Sequence, residues 1–126
     1  MIEISSHTDI GDAKQTNQDC ILAKSDNING HLVGLFIVAD GCGGMSFGEE
    51  ISNLIVTHFS RVWNHELKEL LQNKVIKENE VDELLENAIK DINDGALNFS
   101  SQVESRVGST LSLLLTIDKR YYIKNM

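Results

Sequence analysis

An aspartate at the end of an apolar run is the residue best suited to chemistry in this sequence. Asp40 follows the run Leu35–Ala39, and Gly41, Gly43 and Gly44 come directly after it. A carboxylate at the end of a buried strand is costly unless a cation, a helix N-terminus or a structural turn satisfies it. Glycine backbone would let carbonyls and a ligand approach closely, and oxygen atoms are the ligands that Mg²⁺ and Mn²⁺ prefer. Taken alone, the stretch fits a capped turn and a cation site equally well.

A second polar stretch, Lys14–Asp19, provides another carboxylate and a nearby cation. Read alone, it is typical of a solvated turn. Asp19 directly precedes one strand candidate, whereas Asp40 directly follows the next one along the chain. If these strands pair antiparallel, both carboxylates lie at the same end of the sheet, and Lys14 could engage an anionic substrate there. Together the two stretches favour a divalent-cation site over a structural turn.

Strand patterns flank a helical middle section. The first predicted hairpin consists of Cys20–Ser25 and the apolar run His31–Ala39, separated by the turn formers of Asp26–Gly30. Because nearly every position of the second strand is apolar, we expect it to be buried on both faces. Further strands are predicted at Ile2–Ser6, Gly108–Ile117 and Tyr121–Met126. The last of these would present an unpaired sheet edge.

The middle section predicts two amphipathic helices. Ser46 and Glu49 have the spacing of a capping box, so a helix should begin near Ser46 with its N-terminal amides facing the glycine turn. Apolar residues at helical spacing restart from about Asn79, and this helix should pass through Gly95 and fray by Ser101. The order of elements predicts an α+β fold, with helices packed on an antiparallel or mixed sheet.

Length and composition indicate one soluble globular domain spanning residues 1–126, because 41% of the residues are hydrophobic and 24% are charged. A net charge of -8 opposes nucleic-acid binding. There is no apolar run long enough to cross a bilayer and no leader-like segment, so we expect a cytoplasmic protein without a membrane partner. Cys20 and Cys42 lack zinc-like spacing and are predicted to be free thiols.

Other candidate residues are weaker. His58 lies in the first predicted helix, and no paired spacing with carboxylates makes it a metal ligand, so we expect it to be packed or exposed. Ser109 and Thr110 belong to no Ser/His/Asp constellation that can be placed in the sequence. We therefore expect these two residues to begin a strand.

Three segments resemble the motifs of one enzyme family. The segments "GDAKQTNQD", "VADGCGGMSFGEEIS" and "GSTLSLLL" are similar, in this order, to the first three motifs of the type-2C metal-dependent serine/threonine protein phosphatases. The version is the short bacterial one of this PPM family. The resemblance spans essentially the whole chain but only the first half of a family catalytic domain. It implies the N-terminal half of an αββα sandwich, in which antiparallel sheets are flanked by helices.

The resemblance also implies roles for individual residues. Asp40 matches the aspartate that bridges two manganese or magnesium ions, and Gly41 matches the residue whose backbone carbonyl binds one of them. Asp19 matches the acidic residue of the first motif, which contacts the metal centre directly or through water. Lys14 stands where the family usually has an arginine that grips the substrate phosphate, and lysine lacks the planar fork of that side chain. The implied reaction is two-metal hydrolysis of phosphoserine and phosphothreonine in protein substrates.

The later family motifs, which carry further metal-binding aspartates, are absent from this sequence. Asp19, Asp40 and the Gly41 carbonyl are too few for two divalent cations, each of which takes about six oxygen ligands. We therefore expect a truncated phosphatase with an incomplete site, completed by a separate C-terminal chain or prone to self-association. The alternative is a non-catalytic pseudophosphatase that only binds or regulates a partner. An unrelated α+β domain with Asp40 as phosphoacceptor would need a parallel doubly wound sheet, which the hairpin pattern opposes.

Overall fold

The computed structural model describes residues 19–43, 47–73, 75–104 and 107–126. Within these ranges a four-stranded antiparallel sheet combines with helices, which confirms the predicted α+β fold class. A π-helical turn, Trp63–Leu67, joins the first helix to a short second one. The elements are β1 (Asp19–Ile28), β2 (His31–Gly43), α1 (Phe47–Val62), α2 (Lys68–Leu70), α3 (Glu78–Gln102), β3 (Val107–Ile117) and β4 (Arg120–Asn125). The strand predicted at Ile2–Ser6, the helix cap at Ser46 and the cation Lys14 lie outside the described residues.

The strands follow one another across the sheet in the order β1-β2-β3-β4. A two-residue turn joins β1 to β2, and its residues Asn29 and Gly30 have positive φ angles of 52° and 84°. Asn-Gly favours this turn because both residues adopt a left-handed conformation at low cost. The Gly30 N–H donates a hydrogen bond to Asn27 Oδ1 at 3.1 Å. β1 is therefore longer than predicted, since the turn occupies two residues and the polar residues before it continue the strand.

Asp118 begins the β3–β4 turn and links it to the start of β2. The Leu32 N–H donates to Asp118 Oδ1 at 2.9 Å, and His31 Nδ1 lies 2.7 Å from Asp118 Oδ2. The Asp118 N–H donates in return to the Leu32 carbonyl at 2.8 Å. The hydrogen bond with His31, followed by the bond from the Leu32 backbone, lowers the pKa of the Asp118 carboxyl. Both bonds favour the charged form of the group.

One face of the sheet packs against the helices and forms the core. Every second residue of the two central strands faces the helices and is buried. These residues are Val33, Leu35, Ile37 and Ala39 of β2 and Leu111, Leu113, Leu115 and Ile117 of β3. The helical layer contributes Ile51, Ile55, Phe59, Val62, Trp63, Val81, Leu85, Ala88 and Ile92. This spacing confirms the two predicted amphipathic helices. No helix within the described ranges combines the length and apolar composition needed to cross a bilayer.

The prediction that His31–Ala39 is buried on both faces is wrong. Val38 is 54% exposed, because the helices lie on the other side of β2 and no described element covers this side. We call the uncovered side of the sheet the open face. Its apolar members are Ile21, Ala23, Leu32, Phe36, Val38, Leu114, Tyr121 and Ile123.

An ion-pair cluster ties the edge strand β4 to helix α3. Lys124 Nζ lies 2.6 Å from Glu86 Oε1 and also contacts a carboxylate oxygen of Asp82. Both acidic residues belong to α3, four positions apart, so they lie on the same side of the helix. Hydrogen bonds to Asp82 and then Glu86 raise the pKa of the Lys124 ammonium group.

Candidate active site

The pairing of the first hairpin places the two candidate carboxylate residues directly opposite each other. In the register of β1 with β2, Asp19 is the partner of Asp40. The register of β2 with β3 then places Thr110 on the other side of Asp40. The expectation that Asp19 and Asp40 lie at the same end of the sheet is therefore met by the backbone. Three adjacent strands bring Asp19, Asp40 and Thr110 into one row.

Asp40 belongs to the open face and is exposed. Side chains alternate along a strand, so Asp40 lies on the side of Val38 rather than on the buried side of Ala39. Gly41 follows in the same strand, and its register partner on β3 is Ser109. A carboxylate and an adjacent backbone carbonyl therefore come from consecutive residues at the end of a central strand.

The oxygen atoms near this strand end fit a hard divalent cation in kind, because Mg²⁺ and Mn²⁺ bind carboxylates and backbone carbonyls. These oxygen atoms are too few to complete the coordination of a divalent cation. No group of three or more His, Cys, Asp or Glu side chains placed to hold a metal occurs in the described part of the chain. Asp19, Asp40 and Gly41 would therefore supply part of a metal centre and not a closed one.

The remaining predicted site residue, Lys14, lies outside the described residues, so its role in phosphate binding stays a prediction. Thr110 lies near the start of β3, as predicted from the sequence. The register also puts it beside Asp40. The signal was available in the motif "GSTLSLLL", since a strand pairing with β2 must bring one of its first residues to the Asp40 end.

A groove of about 550 Å³ between α1–α2 and α3 is a separate feature of the helical layer. His58 lines it, and burial followed by the positive charge of Arg61 lowers the pKa of the His58 imidazole. Arg61 Nη2 lies 3.1 Å from His58 Nδ1, a geometry in which the guanidinium donates to the neutral ring. Every residue of the groove comes from the helices and the loop between them, so it contains none of the strand-end residues near Asp40.

The fold and part of the sequence match known phosphatases. The chain superimposes on the solved structure of the S. agalactiae serine/threonine phosphatase with a TM-score of 0.77 and 24% sequence identity. A curated protein of Streptococcus pyogenes serotype M6, whose description assigns it provisionally to the protein phosphatases of type 2C, is 44% identical over 62 residues. This chain resembles a type-2C protein phosphatase. The resemblance expected from the three motifs is confirmed.

Both matches cover a larger share of this chain than of the matched protein. The structural match spans 96% of this chain and 46% of the S. agalactiae phosphatase. The sequence match spans 49% of this chain and 24% of the S. pyogenes protein. No protein-family profile matches the chain. In fold, the chain thus corresponds to less than half of the S. agalactiae serine/threonine phosphatase, in agreement with the predicted half-sandwich.

Proposed function

We propose that this chain forms the part of a serine/threonine protein phosphatase that provides the central carboxylates of a two-metal centre. The reaction is hydrolysis of phosphoserine and phosphothreonine in protein substrates. The single observation that supports this most strongly is the register that pairs Asp19 with Asp40 across the first hairpin. Two acidic residues opposite each other repel, and such a pair is useful where a cation is bound.

Asp40, Asp19 and the Gly41 carbonyl would hold manganese or magnesium at the end of β1 and β2. When bound, such ions supply Lewis-acid activation of water and neutralise charge on the phosphoryl oxygens. Asp40 would be shared between the two ions, and Gly41 offers its carbonyl because the residue adds no side chain at this point. Lys14 would contact the substrate phosphate as a point charge, with less orientation than an arginine fork provides.

The polypeptide needed to complete this centre would be a C-terminal segment, either continuous with this sequence or supplied as a separate chain. The substrate would be a phosphoprotein, and the cytoplasm remains the predicted compartment. Self-association is a further prediction about the partners of this chain.

A turnover assay tests the proposal. A phosphothreonine peptide and Mn²⁺ would be incubated with a chimera in which this chain replaces the matching part of the S. agalactiae phosphatase. We expect phosphate release that Asp40→Asn reduces by at least about 100-fold, because a shared ligand of both ions is lost. Asp94→Asn, an exposed change on α3 with the same loss of charge, should leave turnover unchanged. A chimera that folds and binds Mn²⁺ yet releases no phosphate would refute the catalytic role of this sequence.

The second candidate function is that of a pseudophosphatase that binds a partner without catalysis. It is favoured by the lack of a third metal-binding side chain among the described residues. The chimera separates the two functions, because it supplies the further ligands of an active phosphatase. If this chain has lost the capacity for catalysis, Mn²⁺ binding to the chimera should be weak and turnover absent.

A further inference from the structure

The groove between α1–α2 and α3 is lined in part by apolar residues. Its volume of about 550 Å³ is typical of ligand-binding pockets. Val62 and Ala88 line it and are almost fully buried, whereas Leu70 and Leu84 pack against the core only in part and line it as well. Leucine side chains that line an open groove offer a contact surface for an apolar anchor of a ligand.

Acidic residues dominate the charge of this groove. Those among its described lining residues come from both sides, the π-helical turn and α2 on one side and α3 on the other: Glu66, Glu69, Glu80, Glu83 and Asp91. The described lining contains a single lysine or arginine, Arg61. Arg61 is hydrogen-bonded to His58, whose Nε2 lies 3.9 Å from Asp91 Oδ2, so a cation and a carboxylate share this end of the groove. The excess of negative charge therefore belongs to α2, the turn before it and the start of α3.

The four glutamates at the other end have no cation beside them. Glu66, Glu69, Glu80 and Glu83 form no ion pair with another described residue. Glu80 and Glu83 are three positions apart on α3, so they are neighbours on the helix surface and repel each other. Carboxylates arranged in this way attract a ligand that carries positive charge.

Other acidic residues of α3 are matched by cations of this chain. Lys124 contacts both Asp82 and Glu86, and Arg120 Nε lies 3.9 Å from Glu78 Oε1. Both cations belong to β4. The carboxylates of α3 that face β4 are thus compensated within the chain, whereas the glutamates of the groove lack such a counterpart among the described residues.

The charge and its distribution favour one kind of occupant. Within the described ranges no three acidic, histidine or cysteine side chains are placed to hold a metal ion, so the groove carboxylates are spread along a surface instead of gathered around a point. A nucleic acid, or a second copy of this chain with its net charge of -8, would bring more negative charge. We propose that the groove binds a basic amphipathic segment of a partner protein. Its apolar side chains contact Leu70 and Leu84, and its lysine or arginine side chains lie beside Glu69 and Glu83.

The groove is separate from the candidate active site. Helix α1 begins at Phe47, four positions after the end of β2, and advances by about 1.5 Å per residue. His58, where the groove begins, is therefore about 16 Å along the helix from its start. A segment bound in the groove would leave Asp40 accessible. The inference does not rest on the proposed function, because it requires neither a metal ion nor turnover.

Fluorescence anisotropy of a labelled peptide with the isolated chain tests this inference. The probe has about 14 residues, or four helical turns, with leucines on one helical face and lysines on the other. One control peptide has glutamate in place of every lysine, and a second has serine in place of every leucine. We expect micromolar binding of the probe at low salt and binding at least about 10-fold weaker for each control, because one loses the charge attraction and the other loses the apolar anchor.

Two double variants locate the binding site. Glu69→Gln with Glu83→Gln removes two charges of the groove and should weaken binding of the probe by about five-fold or more. Asp94→Asn with Glu104→Gln removes the same charge at exposed positions outside the groove lining, and it should change binding by less than about two-fold. All four side chains are exposed, so both proteins should keep the fold, which circular dichroism checks.

Three results would overturn the proposal. Equal weakening by the two double variants would mean that the probe follows the net charge of the chain and not the groove. Equal binding of the leucine-free peptide would mean that the glutamates form a solvated acidic surface without an apolar contact. Failure of the lysine–leucine probe to bind at low salt would mean that the groove has no affinity for a basic amphipathic segment.

Discussion

Stabilisation by manganese provides the most direct test of the strand-end carboxylates. Asp19, Asp40 and the Gly41 carbonyl are the proposed, partial ligand set, so we expect a weak Kd of roughly 1 mM for the isolated chain, at the upper end of protein sites for divalent cations. At about 10 mM Mn²⁺, binding to the folded state alone then adds about 1.4 kcal/mol to the free energy of unfolding. For a chain of 126 residues this corresponds to a rise of about 5 °C in the unfolding midpoint.

The assay is thermal unfolding followed by circular dichroism, with EDTA as the baseline. Asp40→Asn should lose most of the Mn²⁺-dependent rise, because it removes the ligand at the centre of the row. Asp94→Asn should keep the full rise, which controls for a general response of this acidic chain to divalent cations. An equal rise in the Asp40→Asn variant would refute the assignment of Asp40 as a ligand. Saturation at micromolar Mn²⁺ would refute the ligand count.

Three further changes test the fold that supports the site. Phe59→Ala should lower the free energy of unfolding in urea by about 3–5 kcal/mol, because the ring is fully buried and the space would remain empty; a loss below about 1 kcal/mol would mean that the helical layer repacks freely. Lys124→Met should cost roughly 1 kcal/mol at neutral pH, and high salt should reduce this cost if the contacts with α3 are electrostatic. Asp118→Asn should cost less than about 1 kcal/mol at pH 7, since the carboxylate is half-exposed. The native pKa of Asp118 is lowered from 3.8, so its contribution is present above that value and is lost as pH falls through the native pKa. Unfolding curves of the two proteins should therefore converge in acid, and a constant difference from pH 7 to about pH 2 would contradict this account.

The elements with strong local patterns were predictable from the sequence. The helix expected from about Asn79 to Ser101 is observed as Glu78–Gln102, because its apolar positions repeat at helical spacing over many turns. The strand predicted at Gly108–Ile117 begins one residue earlier, at Val107. The first hairpin was also predicted, but its turn is Asn29–Gly30 and not the whole of Asp26–Gly30. Asn-Gly fixes such a two-residue turn, and the turn fixes the register. That register is what brings Asp19 and Asp40 together.

The sequence could not show which apolar face of the sheet the helices of this chain cover and which face they leave exposed. The alternating positions of β2 are apolar on both faces, and this pattern is the same whether the second face is covered by the same polypeptide or by another one. Val38 is exposed because no described helix lies on its side of the sheet. The neighbour of Asp40 on β3 was predictable only in part: a strand that pairs with β2 must bring an early residue to the Asp40 end, but which strand pairs there depends on tertiary packing. Hydrophobic periodicity predicts that a segment forms a strand, but the strands with which it pairs depend on the tertiary fold.

The Asn29–Gly30 turn has a consequence for the order of folding. The two acidic residues of the candidate centre are the outermost pair of one hairpin, and this turn is its only connection. Hairpins form within microseconds because few residues separate their strands. The pairing of β3 with β2 is slower, because the helices lie between these two strands in the sequence and a long loop must close. We therefore expect the Asp19–Asp40 pair to be aligned early in folding, and Asn29→Val, which disfavours the left-handed turn, to slow folding as well as to reduce stability. A folding rate equal to that of the unsubstituted chain would contradict this order.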